Sequence, residues 1–166
     1  MMRDPRSLIM SKRRVGLFLD TNILLLLLVG QYVVDLISRF KRTQIFVPDD
    51  FELLTRVTAL FERLVTSPQI LSEVNSFVNQ LREPARAGVL SVLASQVHSA
   101  AEEFVPAVKC VEHEEFARFG LADVATWTVC DSGPLLLTDD FRLSQVIAAH
   151  GVSVINFNHI RLAGWH

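Results

Sequence analysis

The hydrophobic pattern has its clearest break after a short apolar run, from Val15 to Leu19, which stops at three polar residues. An uninterrupted apolar run of this length is typical of a strand buried on both faces, as in a parallel sheet. The polar residues Asp20, Thr21 and Asn22 favour the start of a helix, because their side-chain oxygens accept hydrogen bonds from free first-turn amides. We therefore predict a strand, a tight turn and a buried helix, with Asp20 at the sheet edge where α/β proteins bind ligands.

Along the rest of the chain, helical periodicity alternates with short extended segments. The predicted helices cover 22–40, 51–64, a segment starting at Pro68, 84–103, 112–119, 121–131 and 141–150, and the extended segments cover 45–47, 65–67, 104–111, 135–137 and 152–155. This alternation predicts an α/β protein, a three-layer α/β/α sandwich around a mainly parallel sheet. We expect a flexible N-terminal arm over 1–14 and a single domain over 15–166.

The composition narrows the class of protein further. Half of the residues are hydrophobic, but the leucine-rich run from Ile23 to Val29 is far shorter than the roughly 20 residues that a membrane span requires. The apolar helix is therefore interpreted as deeply buried, or as partly covered by a second subunit or another protein. Cys110 and Cys130 are far apart in sequence, which predicts neither a disulfide framework nor a zinc site. A cytoplasmic protein fits these features.

The net charge of −2, taken alone, argues against a protein that binds nucleic acid. When the acids of one candidate site are set aside, however, basic residues outnumber acidic ones over the rest of the chain. Arg142 follows the last acidic motif directly and is interpreted as an ordinary exposed arginine, with a phosphate contact as the alternative. Trp127 is interpreted as a core aromatic residue, with base stacking as the alternative.

The candidate chemistry lies in acidic residues at the ends of strands and the starts of helices. Asp20 and the pair Asp139–Asp140 each follow a buried strand and precede a helix, so they converge on one edge of a parallel sheet. Glu73 and Asp123 lie early in two other helices. Carboxylates that meet in space raise one another's pKa unless a cation balances them. Oxygen ligands of this kind suit Mg²⁺ or Mn²⁺.

Each of these acids also has a simpler explanation. Aspartate and glutamate near a helix N-terminus cap free amides and interact favourably with the helix dipole, with no function required. The repeated pattern of a buried strand followed by an aspartate favours a site over a set of unrelated caps.

Four segments together resemble the acidic motifs of PIN domains, in the order of that family. They are Leu17-Phe18-Leu19-Asp20-Thr21-Asn22, Ser67-Pro68-Gln69-Ile70-Leu71-Ser72-Glu73, Gly120-Leu121-Ala122-Asp123 and Leu136-Leu137-Thr138-Asp139-Asp140. The resemblance extends from Val15 to Ile155. It implies a flavodoxin-like fold and a Mg²⁺- or Mn²⁺-dependent endoribonuclease, in many members the VapC-type toxin of a toxin–antitoxin pair.

The resemblance also implies a role for each matching residue. The catalytic carboxylates would be those of Asp20, Glu73, Asp123 and Asp140. Asp139 would join these four as a metal ligand, and the supporting polar residues would be Thr21, Asn22 and Thr138. The last motif of the family selects Asp140, with Asp139 as the adjacent candidate.

The implied partners are an RNA substrate, an antitoxin protein and a second copy of the chain in a homodimer. The interval between Asp20 and Glu73 is longer than in the compact toxins and holds an extra helix, which departs from that subgroup. The alternative function is a non-catalytic PIN-like scaffold that binds RNA or a protein partner. The RNA target, the number of metal ions and the identity of the general base stay open.

Overall fold

Five short strands form one parallel sheet in a computed structural model that describes residues 3–165. The strands are β1 (Leu17–Leu19), β2 (Leu64–Thr66), β3 (Ala101–Glu102), β4 (Leu135–Thr138) and β5 (Val154–Asn156). Their order across the sheet is β3-β2-β1-β4-β5. Every residue of the central strand β1 and of its neighbour β4 is buried, because helices cover both faces. The predicted three-layer α/β sandwich is confirmed.

The helices alternate with these strands along the chain. They are α1 (Pro5–Lys12), α2 (Thr21–Tyr32), α3 (Leu36–Arg39), α4 (Pro48–Ala59), α5 (Pro68–Val78), α6 (Ala85–Ser99), α7 (Ala107–Val111), α8 (Phe116–Asp131), α9 (Phe141–Ala149) and α10 (Phe157–Leu162). None of the helices in this part of the chain has the length and apolarity needed to cross a membrane.

The register of the sheet brings the ends of β1 and β4 together. Leu17 of β1 pairs with Leu135 of β4, and Leu19 pairs with Leu137, so both strands end at the same level. The backbone amide of Asp20 continues the ladder and donates to the carbonyl of Leu137 at 3.0 Å. Asp20 and Thr138 are therefore neighbours across the sheet edge.

Helix α2 forms the centre of the hydrophobic core. Every residue from Ile23 to Gly30 is buried, and the helix packs against α4, α5 and α6. Its leucines are therefore covered within the chain itself. An all-round apolar surface is what a helix needs when other elements enclose it on several sides.

The N-terminal segment differs from the predicted flexible arm over 1–14. Asp4 caps helix α1 by accepting from the amide of Ser7, and Leu8 and Ile9 are buried. Burial of two large apolar side chains fixes this helix against the body of the domain. Residues 1 and 2 of the predicted arm, and residue 166 of the predicted domain, lie outside the described residues.

Several other boundaries differ from those predicted. The helix predicted over 22–40 is divided into α2 and α3, because Val33 adopts an extended conformation. The segment 45–47 is a turn and not a strand, and the segment 104–111 contains helix α7. Pro106 directly precedes α7, a position at which its missing amide breaks no helical hydrogen bond.

The C-terminal helix α10 is absent from the sequence-based prediction. Asn156 caps it through the amide of Asn158, and Arg161 forms an ion pair with the buried Asp50 at 2.9 Å. Asp50 also accepts from the amide of Val47 at the start of α4. A polar cap and a long-range ion pair thus dock a helix that its short apolar pattern does not reveal.

We predict that Gly30→Ala destabilises the protein. A Cβ at this position in α2 would lie 2.2 Å from Cδ2 of Phe51, so the ring must move. The cost of overpacking, about 1–3 kcal/mol, exceeds the roughly 1 kcal/mol that alanine gains over glycine in a helix. Urea denaturation measures the difference.

The matched control is Gly30→Ala in a Phe51→Ala background, where the obstructing ring is gone. There the substitution should be neutral or stabilising. Equal destabilisation in both backgrounds would contradict this explanation.

Candidate functional site

Asp20 is held at the end of β1 by two hydrogen bonds. Its side chain is only 7% exposed. One carboxylate oxygen accepts from the amide of Thr21 at 2.8 Å, and the other accepts from the hydroxyl of Thr138 at 2.6 Å. Thr138 ends the neighbouring strand β4, so the sheet register places the donor. The Asp20 carboxylate therefore has one fixed orientation.

The same hydroxyl connects Asp20 to the last acidic motif. Oγ1 of Thr138 accepts from the backbone amide of Asp140 at 3.1 Å. The Asp140 carboxylate in turn accepts from the amide of Leu143 and caps α9. Thr138 thus sets the position of the Asp139–Asp140 turn relative to Asp20.

Asp139 is held from two other elements. The side-chain amide of Asn22, in the first turn of α2, lies 3.3 Å from both carboxylate oxygens of Asp139. The side-chain amide of Asn158, in α10, donates to the backbone carbonyl of Asp139 at 3.1 Å. Sequence analysis missed Asn158, and the only available signal was the pair of asparagines, Asn156 and Asn158, after the last strand.

Glu73 and Asp123 line one groove between α5 and α8, together with Gln69 and Phe119. Both acidic side chains are half-buried. Glu73 is placed by α5, which Ser67 caps directly after β2. Two of the predicted acids thus form the walls of a groove that opens beside the strand ends.

The position of Asp123 depends on an unusual backbone conformation at Gly120. This residue has φ 82° and ψ −178°, within the span of α8. A Cβ there would meet nothing within 4 Å, so the backbone conformation and not the available space requires glycine. The helical segment that carries Asp123 begins after this break.

The carboxylates are close enough for their charges to raise one another's pKa. Burial, together with the charges of Asp139 and Glu73, raises the pKa of Asp20 to about 6, although the hydrogen bonds from Thr138 and Thr21 oppose the rise. Burial and the charges of Asp20, Asp140 and Glu73 raise the pKa of Asp123 to about 7. The five predicted carboxylates therefore form one electrostatic cluster.

Opposing effects also act on the pKa of Asp139, but they come from different residues. Burial and the charge of Asp140 raise its pKa, while the hydrogen bond from Asn22 and the charge of Arg161 lower it. The four ion pairs among residues 3–165 do not include any of the five acids of this cluster. Repulsion within the cluster is therefore left without a directly paired base.

The donor chemistry of the cluster fits a hard divalent cation. All five acids offer carboxylate oxygens, and Oγ1 of Thr21 is buried with no hydrogen-bond partner among the described residues. A cation would also offset the mutual repulsion that raises the pKa values. As the side chains stand, no group of three or more histidines, cysteines or acids within residues 3–165 is arranged to hold a metal ion.

Trp127 belongs to the interior and not to the acidic groove. Its ring is 5% exposed and lies between the rings of His113 and His150, with centroid distances of 4.8 and 4.9 Å. This arrangement supports the interpretation of Trp127 as a core aromatic residue.

No protein-family model matches the sequence, and no curated protein matches it.

We predict that Asp123→Asn stabilises the metal-free protein in a pH-dependent manner. In the folded state the carboxyl has a pKa of about 7, against about 3.9 in the unfolded state. The wild type therefore loses stability as the pH rises from about 4 to about 7, where the unfolded state binds fewer protons than the folded state. The variant lacks this loss and should gain about 1–2 kcal/mol at pH 8 in EDTA.

Urea titrations across this pH range measure the effect. Asp131→Asn, an exposed position at the end of the same helix α8, controls for the removal of one negative charge. A stability difference between wild type and Asp123→Asn that does not change with pH would contradict the assignment.

Proposed function

We propose that this protein is a divalent-metal-dependent endoribonuclease of the PIN-domain type. The observation that carries the proposal is the convergence of Asp20, Glu73, Asp123 and the Asp139–Asp140 pair at one edge of the parallel sheet. The order of the four acidic motifs along the sequence supports the same function. Only Asp20 of these acids is buried, but the mutual repulsion of the carboxylates is costly to keep, and a catalytic metal site gives a reason for that cost.

The five acidic residues of the cluster are the proposed ligands of Mg²⁺ or Mn²⁺. The cation would activate water and neutralise the charge that develops on the oxygens of a phosphodiester during hydrolysis. Thr138 and the amide of Thr21 hold the Asp20 carboxylate in place, and Asn22 holds that of Asp139. Such pre-set orientation spares the site a rearrangement as substrate binds.

The groove beside the strand ends supports a polymeric substrate. It extends from Pro68 to Ser76 on one side and from Phe119 to Asp123 on the other, and it is open to solvent along these two elements. An RNA chain lying in such a groove would pass Glu73 and Asp123. This placement favours internal cleavage over attack on a small phosphate ester.

The toxin subgroup has weaker support than nuclease activity. The interval between Asp20 and Glu73 contains α3 and α4, and α4 packs on the central helix α2. These helices are integral parts of the domain. An antitoxin partner and a homodimer stay predictions from the sequence resemblance.

We predict that Mn²⁺ stabilises the wild type and supports RNA cleavage. At a concentration one hundred times its dissociation constant, a ligand that binds only the folded state adds about 2.7 kcal/mol. The melting temperature should therefore rise with Mn²⁺ and fall back with EDTA, and Asp20→Asn should lose both this rise and cleavage of a single-stranded RNA. Asp131→Asn should retain both.

The possible outcomes distinguish a nuclease from a non-catalytic scaffold. Stabilisation by Mn²⁺ without cleavage would favour the non-catalytic scaffold. The absence of both effects in the wild type would rule out the metal-dependent nuclease.

We predict that Thr138→Val lowers the affinity for Mn²⁺ by about 10–100-fold, as is usual when a residue that orients a metal ligand is lost. Valine keeps the shape of threonine but removes the donor to Asp20 and the acceptor for the amide of Asp140. Thr138→Ser keeps the hydroxyl and should restore the affinity. Calorimetric titration with Mn²⁺ measures both variants, and equal affinities for the two would show that the hydroxyl does not position the site.

A further inference from the structure

Two arginines share one aromatic ring on the rim of the acidic groove. The guanidinium carbon of Arg118 lies 4.9 Å from the ring centroid of Phe119, and that of Arg142 lies 5.5 Å from it. Arg118 and Phe119 belong to the first part of α8, and Arg142 belongs to α9. We call these three residues the Arg–Phe–Arg cluster.

The cluster lies next to the carboxylates on two elements. Phe119 lines the same groove as Glu73 and Asp123. Arg142 follows Asp140 by two residues, in the first turn of α9. The two arginines therefore lie beside the groove, because both contact the ring of Phe119 that lines it.

The folding of the domain does not explain these positions. A cation in the first turn of a helix faces the positive end of the helix dipole, so Arg142 is unfavourable for α9 itself. Both arginine side chains are exposed, and two like charges on one ring repel each other. The ion pair of Arg118 with Glu115, at 3.6 Å and with the arginine 41% exposed, contributes little stability.

We propose that the Arg–Phe–Arg cluster binds the phosphodiester backbone of single-stranded RNA beside the acidic cluster. Stacking on Phe119 restricts the two guanidinium groups, so less entropy is lost when they bind a phosphate. Sites for single-stranded nucleic acid typically combine basic side chains along the nucleic-acid backbone with accessible aromatic rings. The half-buried ring of Phe119 and the 41% exposed Leu121 give the groove an apolar surface.

The inference rests on the proposed nuclease function and adds the substrate-binding residues to it. A phosphate on this rim would offset the repulsion between the two arginines, as a metal ion would offset that between the carboxylates. The arginines would then bind the RNA backbone, and a cation held by the carboxylates would bind the scissile phosphate.

The test measures binding of a fluorescent oligouridylate by anisotropy in EDTA, so that neither metal nor cleavage enters the result. Arg118→Gln and Arg142→Gln should each raise the dissociation constant about 5–30-fold. Each should also reduce the salt dependence of log K by about 0.7, measured between about 50 and about 200 mM salt. Phe119→Leu keeps both charges, so it should weaken binding while leaving the salt dependence unchanged.

Arg86→Gln is the matched control. Arg86 also forms an ion pair with an acid three residues away, and its side chain is 41% exposed, as is that of Arg118. The control variant should bind with wild-type affinity. Binding of the three cluster variants with wild-type affinity would overturn the proposal, as would a wild type that prefers a duplex RNA of the same length.

Cleavage in Mn²⁺ distinguishes failure of this inference from failure of the nuclease itself. If the wild type cleaves RNA but Arg118→Gln and Arg142→Gln keep the wild-type KM, the cluster has no part in binding and the nuclease assignment stands. If the wild type neither binds nor cleaves RNA, both proposals are wrong.

Discussion

The site depends on one hydrogen bond, from the hydroxyl of Thr138 to the buried carboxylate of Asp20 at 2.6 Å. It joins the ends of two adjacent parallel strands, and the same oxygen accepts the amide that begins the Asp139–Asp140 turn. Two acidic motifs, separated by more than a hundred residues, are thereby fixed relative to each other. Asp20 can then approach the other carboxylates in one defined orientation.

The cluster is maintained against its own electrostatics. Burial and mutual repulsion raise the pKa of Asp20 to about 6 and that of Asp123 to about 7, so at neutral pH the folded state carries anions in unfavourable positions. The hydrophobic core offsets this cost. Helix α2, which Asp20 caps, buries the unbroken apolar sequence from Ile23 to Val29, so a buried carboxylate lies at the start of the helix that forms the centre of the core.

Two opposite charge patterns lie side by side on this surface. The carboxylates form an inner cluster without directly paired bases, and Arg118 and Arg142 stack on Phe119 at the rim. Neither pattern contributes much to folding, since one repels itself and the other is exposed. Together they complement a metal ion and a polyanion, the two components that hydrolysis of RNA requires in the proposed function.

Helix α10 supports this surface from the far end of the chain. The side chain of Asn158 donates to the backbone of Asp139, and the charge of Arg161 opposes the rise that burial causes in the pKa of the Asp139 carboxyl. Arg161 is in turn held by Asp50 at the start of α4. A helix that contributes no proposed ligand thus stabilises the turn that carries two of them.

The local pattern of apolar and polar residues in the sequence determined the strands and helix starts that carry most of the site. Short apolar runs that end in polar residues predicted β1 and β4 and placed Asp20 and Asp139–Asp140 at their ends, and Ser67-Pro68 predicted the start of α5. These features are readable because strand burial and helix capping depend on residues next to one another in sequence. Only the tertiary structure decided the order of the strands, the docking of α1 and α10, and the meeting of Phe119 with Arg142. Each of these depends on contacts between distant segments, which no periodicity along the chain encodes.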